Sequence, residues 1–309
     1  MKTHNNFLIT AFLAIAFSQT ASAQSYVFHE VPSGISLFSS ASIYSVTDNG
    51  DYFIVLGAIN GPNSAFIYNG HTLTAITAQT GDSFYAMNNS ETVIGQGNAG
   101  AFIQDKAGKR TLIAPPSGET LFVYNLNNLN VAVGQIINSP STQSGFSWKA
   151  GVLSPYMFPG ANITCFNGNN DVGDYVGFYT LASNNITSAF HLTKAGKATV
   201  ITVPTYDNVT PSMINNAGLV VGYAEIGNAQ NGQVGFTSNK AGKVAAYDLG
   251  NAAPIAMPGA KGPLLLQKQL GITFFWGVNN NGWIGGSYTG YYENAVGGYT
   301  ISIPMIGLP

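Results

Sequence analysis

Acid–base, nucleophilic or metal chemistry would have to draw on 13 carboxylates, 4 histidines and 1 cysteine among 309 residues. Glycoside cleavage needs two carboxylates flanking the scissile bond. Asp48, Asp51, Asp171 and Asp174 are candidates, but they stand at turn positions that other copies of a repeat fill with Asn or with varied residues, and turn formation accounts for them. Glu225 and Glu293 follow Gly-containing strand segments and could approach a loop face. His29, His71 and His191 lack the spacing of zinc ligands, and no Gly-x-Ser-x-Gly elbow occurs. Asp48-Asn49-Gly50-Asp51 and Asn167-Gly168-Asn169-Asn170-Asp171 have some likeness to calcium loops. Calcium takes about 6 to 8 oxygens, several from carboxylates, whereas these turns offer mainly amides. No catalytic residue, metal ligand or cofactor is therefore expected.

Aromatic side chains are the stronger set. Phe274, Phe275, Trp276, Trp283, Tyr288, Tyr291 and Tyr292 crowd the end of the chain, beside a spacer from Asn251 to Phe275 that includes Pro254, Pro258 and Pro263. A ring face can stack on a sugar or on a partner's apolar surface, and long loops on rigid β scaffolds gather binding residues. Trp276, Trp283, Tyr288, Tyr291 and Tyr292 are the expected binding residues. The same rings would also fit a core between sheets.

The elements that position them repeat every 40 residues or so, the period of solenoids and propellers. The strongest copy is Ile214-Asn215-Asn216-Ala217-Gly218-Leu219-Val220-Val221-Gly222. Others start at Met87, Leu126 and Val278, and looser ones surround Asn170 and Asp48. Each carries a small residue before an aromatic: Ala65-Phe66, Ala101-Phe102, Gly145-Phe146, Ala189-Phe190, Gly235-Phe236 and Gly298-Tyr299. Lys-Ala-Gly-Lys turns follow at 106, 194 and 240. Asn, Asp and Gly supply tight turns between antiparallel strands, so each unit reads as four short strands, the size of a propeller blade. The fold expected is all-β, a single six-bladed β-propeller of four-stranded blades. The 251–275 segment reads as one long loop, because another blade would require about 40 more residues.

The last copy stops at Ile301-Ser302-Ile303-Pro304 without a fourth strand, while Tyr26–Pro32 reads as an orphan strand. Pro32-Ser33-Gly34-Ile35-Ser36-Leu37-Phe38 matches Pro116-Ser117-Gly118-Glu119-Thr120-Leu121-Phe122, which follows a fourth strand. The N-terminal strand is thus expected to complete the sixth blade as a three-plus-one clasp that protects an open edge.

Lys2, the apolar run Phe7–Phe17 and Ala21-Ser22-Ala23 form a secretory signal over residues 1–23, leaving a domain of residues 24–309. The run is shorter than the 20 or so apolar residues of a membrane span, so the expected location is secreted or periplasmic, without membrane insertion. Net charge of −2 gives no attraction to nucleic acid. Only 8 % of residues are charged and 12 % are aromatic, which favours a packed chain over a disordered one. Cys165 alone can form no internal disulfide and reads as a buried apolar residue.

The Asn-Asn-x-Gly-x-x-Val-Gly turn and the Ala-Phe landmark resemble the HAF-repeat family of exported bacterial proteins over most of residues 24–309. The resemblance implies a propeller and export and lends no activity. It departs at Ser64, Gly100 and Ser188, where the family has His, and at Glu91 and Asn130, which replace the turn glycine. Glu adopts positive φ less readily than Asn, so the second unit's turn is expected to differ. The function expected is a binding or scaffold module for a glycan or protein. The alternative is a polysaccharide-cleaving enzyme with carboxylates at the funnel.

Overall fold

The computed structural model describes residues 15–16, 26–30, 40–57, 64–183, 187–226, 232–249, 265–266, 272–294 and 297–309. The 32–38 motif, nearly all of the export signal and most of the 251–275 spacer lie outside the described residues. Within them the fold is all-β, with no helix.

The tight Asn turns produce antiparallel meanders. In the first unit Ser40–Val46, Tyr52–Gly57, Ser64–Tyr68 and Leu73–Ala75 pair in order. The second unit runs from Ser83–Met87 to Arg110–Ile113, and the fifth from Asn208–Ile214 to Val244–Tyr247. The third and fourth units, starting at Thr120–Leu126 and Ala161–Asn169, join in one eight-stranded sheet through a single parallel bridge, Gln143↔Ile163. The last sheet pairs Ile272–Val278, Ile284–Asn294 and Gly297–Leu308, and Val27–Glu30 adds to its edge with Val27 opposite Leu308 and Glu30 opposite Met305. Ile15–Ala16 pairs beyond that strand, and Leu265–Leu266 pairs with Tyr292 and Glu293, so the long spacer is not loop throughout.

Six turns join the first strand of a unit to the second, each a type I turn closed by a residue at positive φ. The closing residues are Gly50, Glu91, Asn130, Gly173, Gly218 and Gly282. Contrary to the sequence expectation, the Glu91 turn keeps the common form. Glu91 N donates to Asn88 O at 3.0 Å and Asn88 N to Thr92 O at 3.0 Å, as in the other units. Glu91 adopts φ 55° and its carboxylate meets Lys106.

In every unit but the first, which has Ile54 opposite Phe66, a strand glycine comes seven residues after the turn's first residue, and in units two to five it lets the Phe landmark pack. A Cβ on Gly134 would lie 1.9 Å from Phe122 O and 2.8 Å from Phe146 Cε1. Gly134 pairs with Phe146, as Gly95 does with Phe102, Gly177 with Phe190 and Gly222 with Phe236. These four phenylalanines are fully buried, each removing from water an apolar side chain worth about 1.5–3 kcal/mol. The last unit corrects the sequence reading: Met305, not Tyr299, stands opposite Gly286, and Tyr299 pairs with Tyr292. Its third strand continues through Pro304 to Leu308, so the copy does not stop at Ile301–Pro304. Cys165 is buried, which pushes its thiol up, as expected of an inert core residue.

An L-residue in the left-handed region costs about 1–2 kcal/mol, more than the exposed Lys106 ion pair returns. Glu91→Gly should therefore raise the thermal midpoint slightly. A lower midpoint in a calorimetric scan would show that the ion pair outweighs the strain.

Candidate functional site: the turn cycle and the axial aromatic tier

The second residue of every turn donates its backbone N–H to the side-chain Oδ1 of the corresponding residue in the next unit. Asp48 donates to Asn89, Asn89 to Asn128, Asn128 to Asp171, Asp171 to Asn216, Asn216 to Asn280, and Asn280 back to Asp48, all at 2.7–2.9 Å. The six turns thus form a closed cycle, and the sheets that carry them stand around one axis, the arrangement of a β-propeller.

A second set of bonds comes from the turn's first residue. Asn88 Nδ2 donates to Asn127 O, Asn127 to Asn170 O, Asn170 to Asn215 O, Asn215 to Asn279 O, and Asn279 to Thr47 O, at 2.8–3.1 Å. The same side chains accept from their own turns, as Asn215 Oδ1 does from Ala217 N and Leu219 N. Thr47 copies only the second task, accepting from Asp51 N through Oγ1. It has no amide to send toward Asn88.

Asp48 and Asp171 stand three steps apart in the cycle, opposite one another. Asp48 Oδ2 accepts from Asn89 Nδ2 and Asn280 Nδ2 at 2.6 and 2.8 Å. Asp171 Oδ2 accepts from Asn128 Nδ2 and Asn216 Nδ2 at 2.9 and 3.1 Å. The four amides of the cycle are therefore satisfied by two carboxylates. Turn residues from all six units line the mouth, a shallow cavity of about 40 Å³.

Deeper along the axis, every first strand carries a β-bulge at one position, three residues before the turn. Register shifts place Tyr44, Tyr85, Tyr124, Asn167, Ser212 and Trp276 there. A bulge leaves its extra residue unpaired and re-aims the side chain. The Tyr44 and Trp276 rings lie 5.4 Å apart. Burial, then the neighbouring Tyr85, pushes the Tyr44 phenol up, and burial with Cys165 and Tyr85 does the same to Tyr124. Phe274 stacks on Trp276 at 5.1 Å, and Tyr223 meets both edge-on at 4.9 and 5.6 Å. Between this tier and the mouth, Asn125 Nδ2 of the third unit reaches Met213 Sδ of the fifth at 2.7 Å, a contact across the axis.

Of the expected binding residues, Trp276, Trp283 and Tyr288 have described side chains, and these lie in different surroundings. Trp276 lies in the tier. Trp283 packs at the turn end, 3.1 Å from where a Cβ on Gly50 would stand, among Tyr52 and Leu308. Tyr288 is partly buried against the core around Phe275 and Met305. Tyr291 and Tyr292 pair along the strand with Thr300 and Tyr299, and their side chains lie outside the described residues. Sequence reading missed Tyr44, Tyr85 and Tyr124, although each is an aromatic three residues before its own turn. His191 meets Asp174 at 3.4 Å, and Glu225 accepts from Gln233. No group of three metal-ligating side chains occurs among the described residues.

No protein-family model matches the chain, and no curated protein matches it. Among solved structures, an oligogalacturonate lyase in complex with manganese aligns with TM-score 0.47 and 11 % identity, over 97 % of each chain. The β-propeller domain of the Trilobed protease from Pyrococcus furiosus aligns at 0.45 and 9 %, over 95 % of this chain and 90 % of that one. The Aleuria aurantia lectin, described as a six-bladed β-propeller, aligns at 0.37 and 10 %, over 88 % and 97 %.

Thr47→Asn should supply the missing amide and add about 1 kcal/mol, raising the midpoint by about 2–4 °C. Asn215→Ala should lower it by at least as much. Equal midpoints for both variants and the parent would mean that the stapling amides do not stabilise the cycle.

Proposed function

We propose that the protein is an exported propeller of six four-stranded blades, spanning residues 24–309, that binds a glycan or protein outside the cytoplasm. Blade number is supported by the six-member turn cycle. A three-plus-one clasp is supported by the pairing of Val27–Glu30 with the C-terminal strand and by Tyr26, which is 3 % exposed and meets Tyr247 of the neighbouring unit edge-on at 6.0 Å. Export rests on the residue 1–23 signal, and the repeat's resemblance to the HAF family agrees with it. No helix among the described residues is long and apolar enough to cross a membrane.

Binding rests on one observation, the partly exposed aromatic group in which Tyr44 and Trp276 of two axial first strands meet Phe274 and, from a second strand, Tyr223. Such rings offer apolar faces at low entropic cost. The enzymatic alternative would draw on Asp48 and Asp171, whose Oδ2 atoms already hold two amides each. That occupancy favours a structural role for both carboxylates.

A glycan array and a pull-down with the parent, Trp276→Ala and Tyr292→Ala test the reading. Weaker capture by at least one variant is expected, and undiminished capture by both removes its aromatic basis. Deleting residues 26–31 should lower the melting midpoint sharply; an unchanged midpoint would sink the clasp.

A further inference from the structure

Charge on this molecule is sorted by end. Each third strand runs antiparallel to the second, so it returns to the end that holds the Asn turns: Gln104 stands opposite Val93, Trp148 opposite Ala132, Leu192 opposite Tyr175 and Ser238 opposite Val220. The turns that follow in units two to five are therefore on the mouth side, farther from the axis than the cycle. The Lys-Ala-Gly-Lys turns at 106, 194 and 240, together with Lys149, put seven of the eleven lysines and arginines there. Side chains agree with this placement. A Cβ on Gly173 would lie 3.3 Å from the Lys194 side chain and one on Gly218 3.2 Å from Lys240 Cβ, and Lys106 reaches Glu91.

Three carboxylates lie beside these lysines and are already engaged. Glu91 pairs with Lys106, Asp105 Oδ1 accepts from Lys109 N in its own turn, and Asp174 accepts from Lys194 N and meets His191. Lys109, Lys149, Lys194, Lys197 and Lys240 are exposed and make no ion pair among the described residues. The opposite end is the reverse, with Glu119, Asp207, Glu225 and Asp248 where first strands begin and second and fourth strands end. The formal net charge of −2 thus conceals a basic arc over four consecutive units.

Apolar side chains adjoin the middle of that arc. The third turn residue is Leu129 in unit three and Val172 in unit four, against Asn49, Ser90, Ala217 and Asn281 elsewhere. Both are about half exposed, on the axial side of the lysine turns. Ammonium groups strung along an arc, with no pocket to gather them, suit a chain bearing a charge on successive residues better than a small anion. A uronic acid residue offers both features that the surface calls for, a carboxylate at the ring's edge and a face of C–H groups.

We propose that the mouth-side arc of units two to five binds an acidic polysaccharide laid across the lysine turns, its carboxylates paired with the ammonium groups and its rings resting on Leu129 and Val172. The arc rests on the glycan reading above, gives the ligand its charge, and is a surface separate from the aromatic group. Exposed ion pairs are screened by salt, so binding weakens as ionic strength rises.

Titration of the parent with alginate, unmodified dextran and duplex DNA at low and high NaCl tests it, with three variants alongside. Alginate should bind at low salt, at least about 10-fold more weakly at high salt, and more tightly than either other polymer. Lys194→Gln/Lys197→Gln/Lys240→Gln/Lys243→Gln should lose about 10-fold in alginate affinity, whereas the same four positions changed to Arg should keep it. Leu129→Ser/Val172→Ser should lose about 3-fold. If the fourfold Gln variant fails to fold, Lys197→Gln/Lys240→Gln decides. Parent-like alginate affinity in the Gln variant overturns the arc and leaves the glycan reading standing, as does a parent that binds only dextran. Duplex DNA bound as tightly as alginate overturns the polysaccharide assignment. A parent that binds no alginate overturns the arc, and the glycan array above decides the wider reading separately.

Discussion

A turn amide that points away from its own hairpin must find an acceptor elsewhere, and here that acceptor belongs to the next unit. This constraint organises the molecule. No meander satisfies its own second turn residue, so each depends on a neighbour, and the dependence ends only when Asn280 finds Asp48. The bonds are individually worth about 1 kcal/mol. Together they fix how far apart the first strands stand around the axis, and so the width of the space that the bulge residues enter.

The same requirement explains the two acids at the mouth. An all-Asn cycle would use every Oδ1 as an acceptor and leave six amide groups competing for few partners. Aspartate at every third position converts that surplus into two acceptor sites of two amides each, with Asp48 and Asp171 serving four asparagines. Two carboxylates facing one another on an axis would suggest acid–base chemistry if their hydrogen bonds were ignored. The bonds assign them to the scaffold instead, and the aromatic tier deeper in the axis becomes the better place for recognition.

Sequence reading captured the periodic parts because periodicity is visible in one dimension. The Asn turns, the aromatic landmarks and the hydrophobic strands between them recur at nearly fixed offsets. It misjudged the sixth unit for a physical reason. In the long hairpin of Ile284–Asn294 and Gly297–Leu308, Tyr299 pairs with Tyr292, and Met305 takes the place opposite Gly286. It also expected Glu91 to alter its turn, although the hydrogen bonds from Asn88 and Asn89 hold the common geometry at φ 55°. The axial tier escaped notice because a bulge changes which way a side chain faces, and nothing in an alternating pattern announces it. Trp276 and Trp283 looked like one group along the chain. Their placement in different packing environments separates them.

Closure of the turn cycle is the claim from which the axis and the binding reading follow. Native-state hydrogen exchange at the backbone amides of Asp48, Asn89, Asn128, Asp171, Asn216 and Asn280 tests it most directly. The closed cycle predicts that all six are protected and open together with a common free energy. Rapid exchange at Asp48 or Asn280, with protection retained at the other four, would contradict it by showing a chain of turns with free ends.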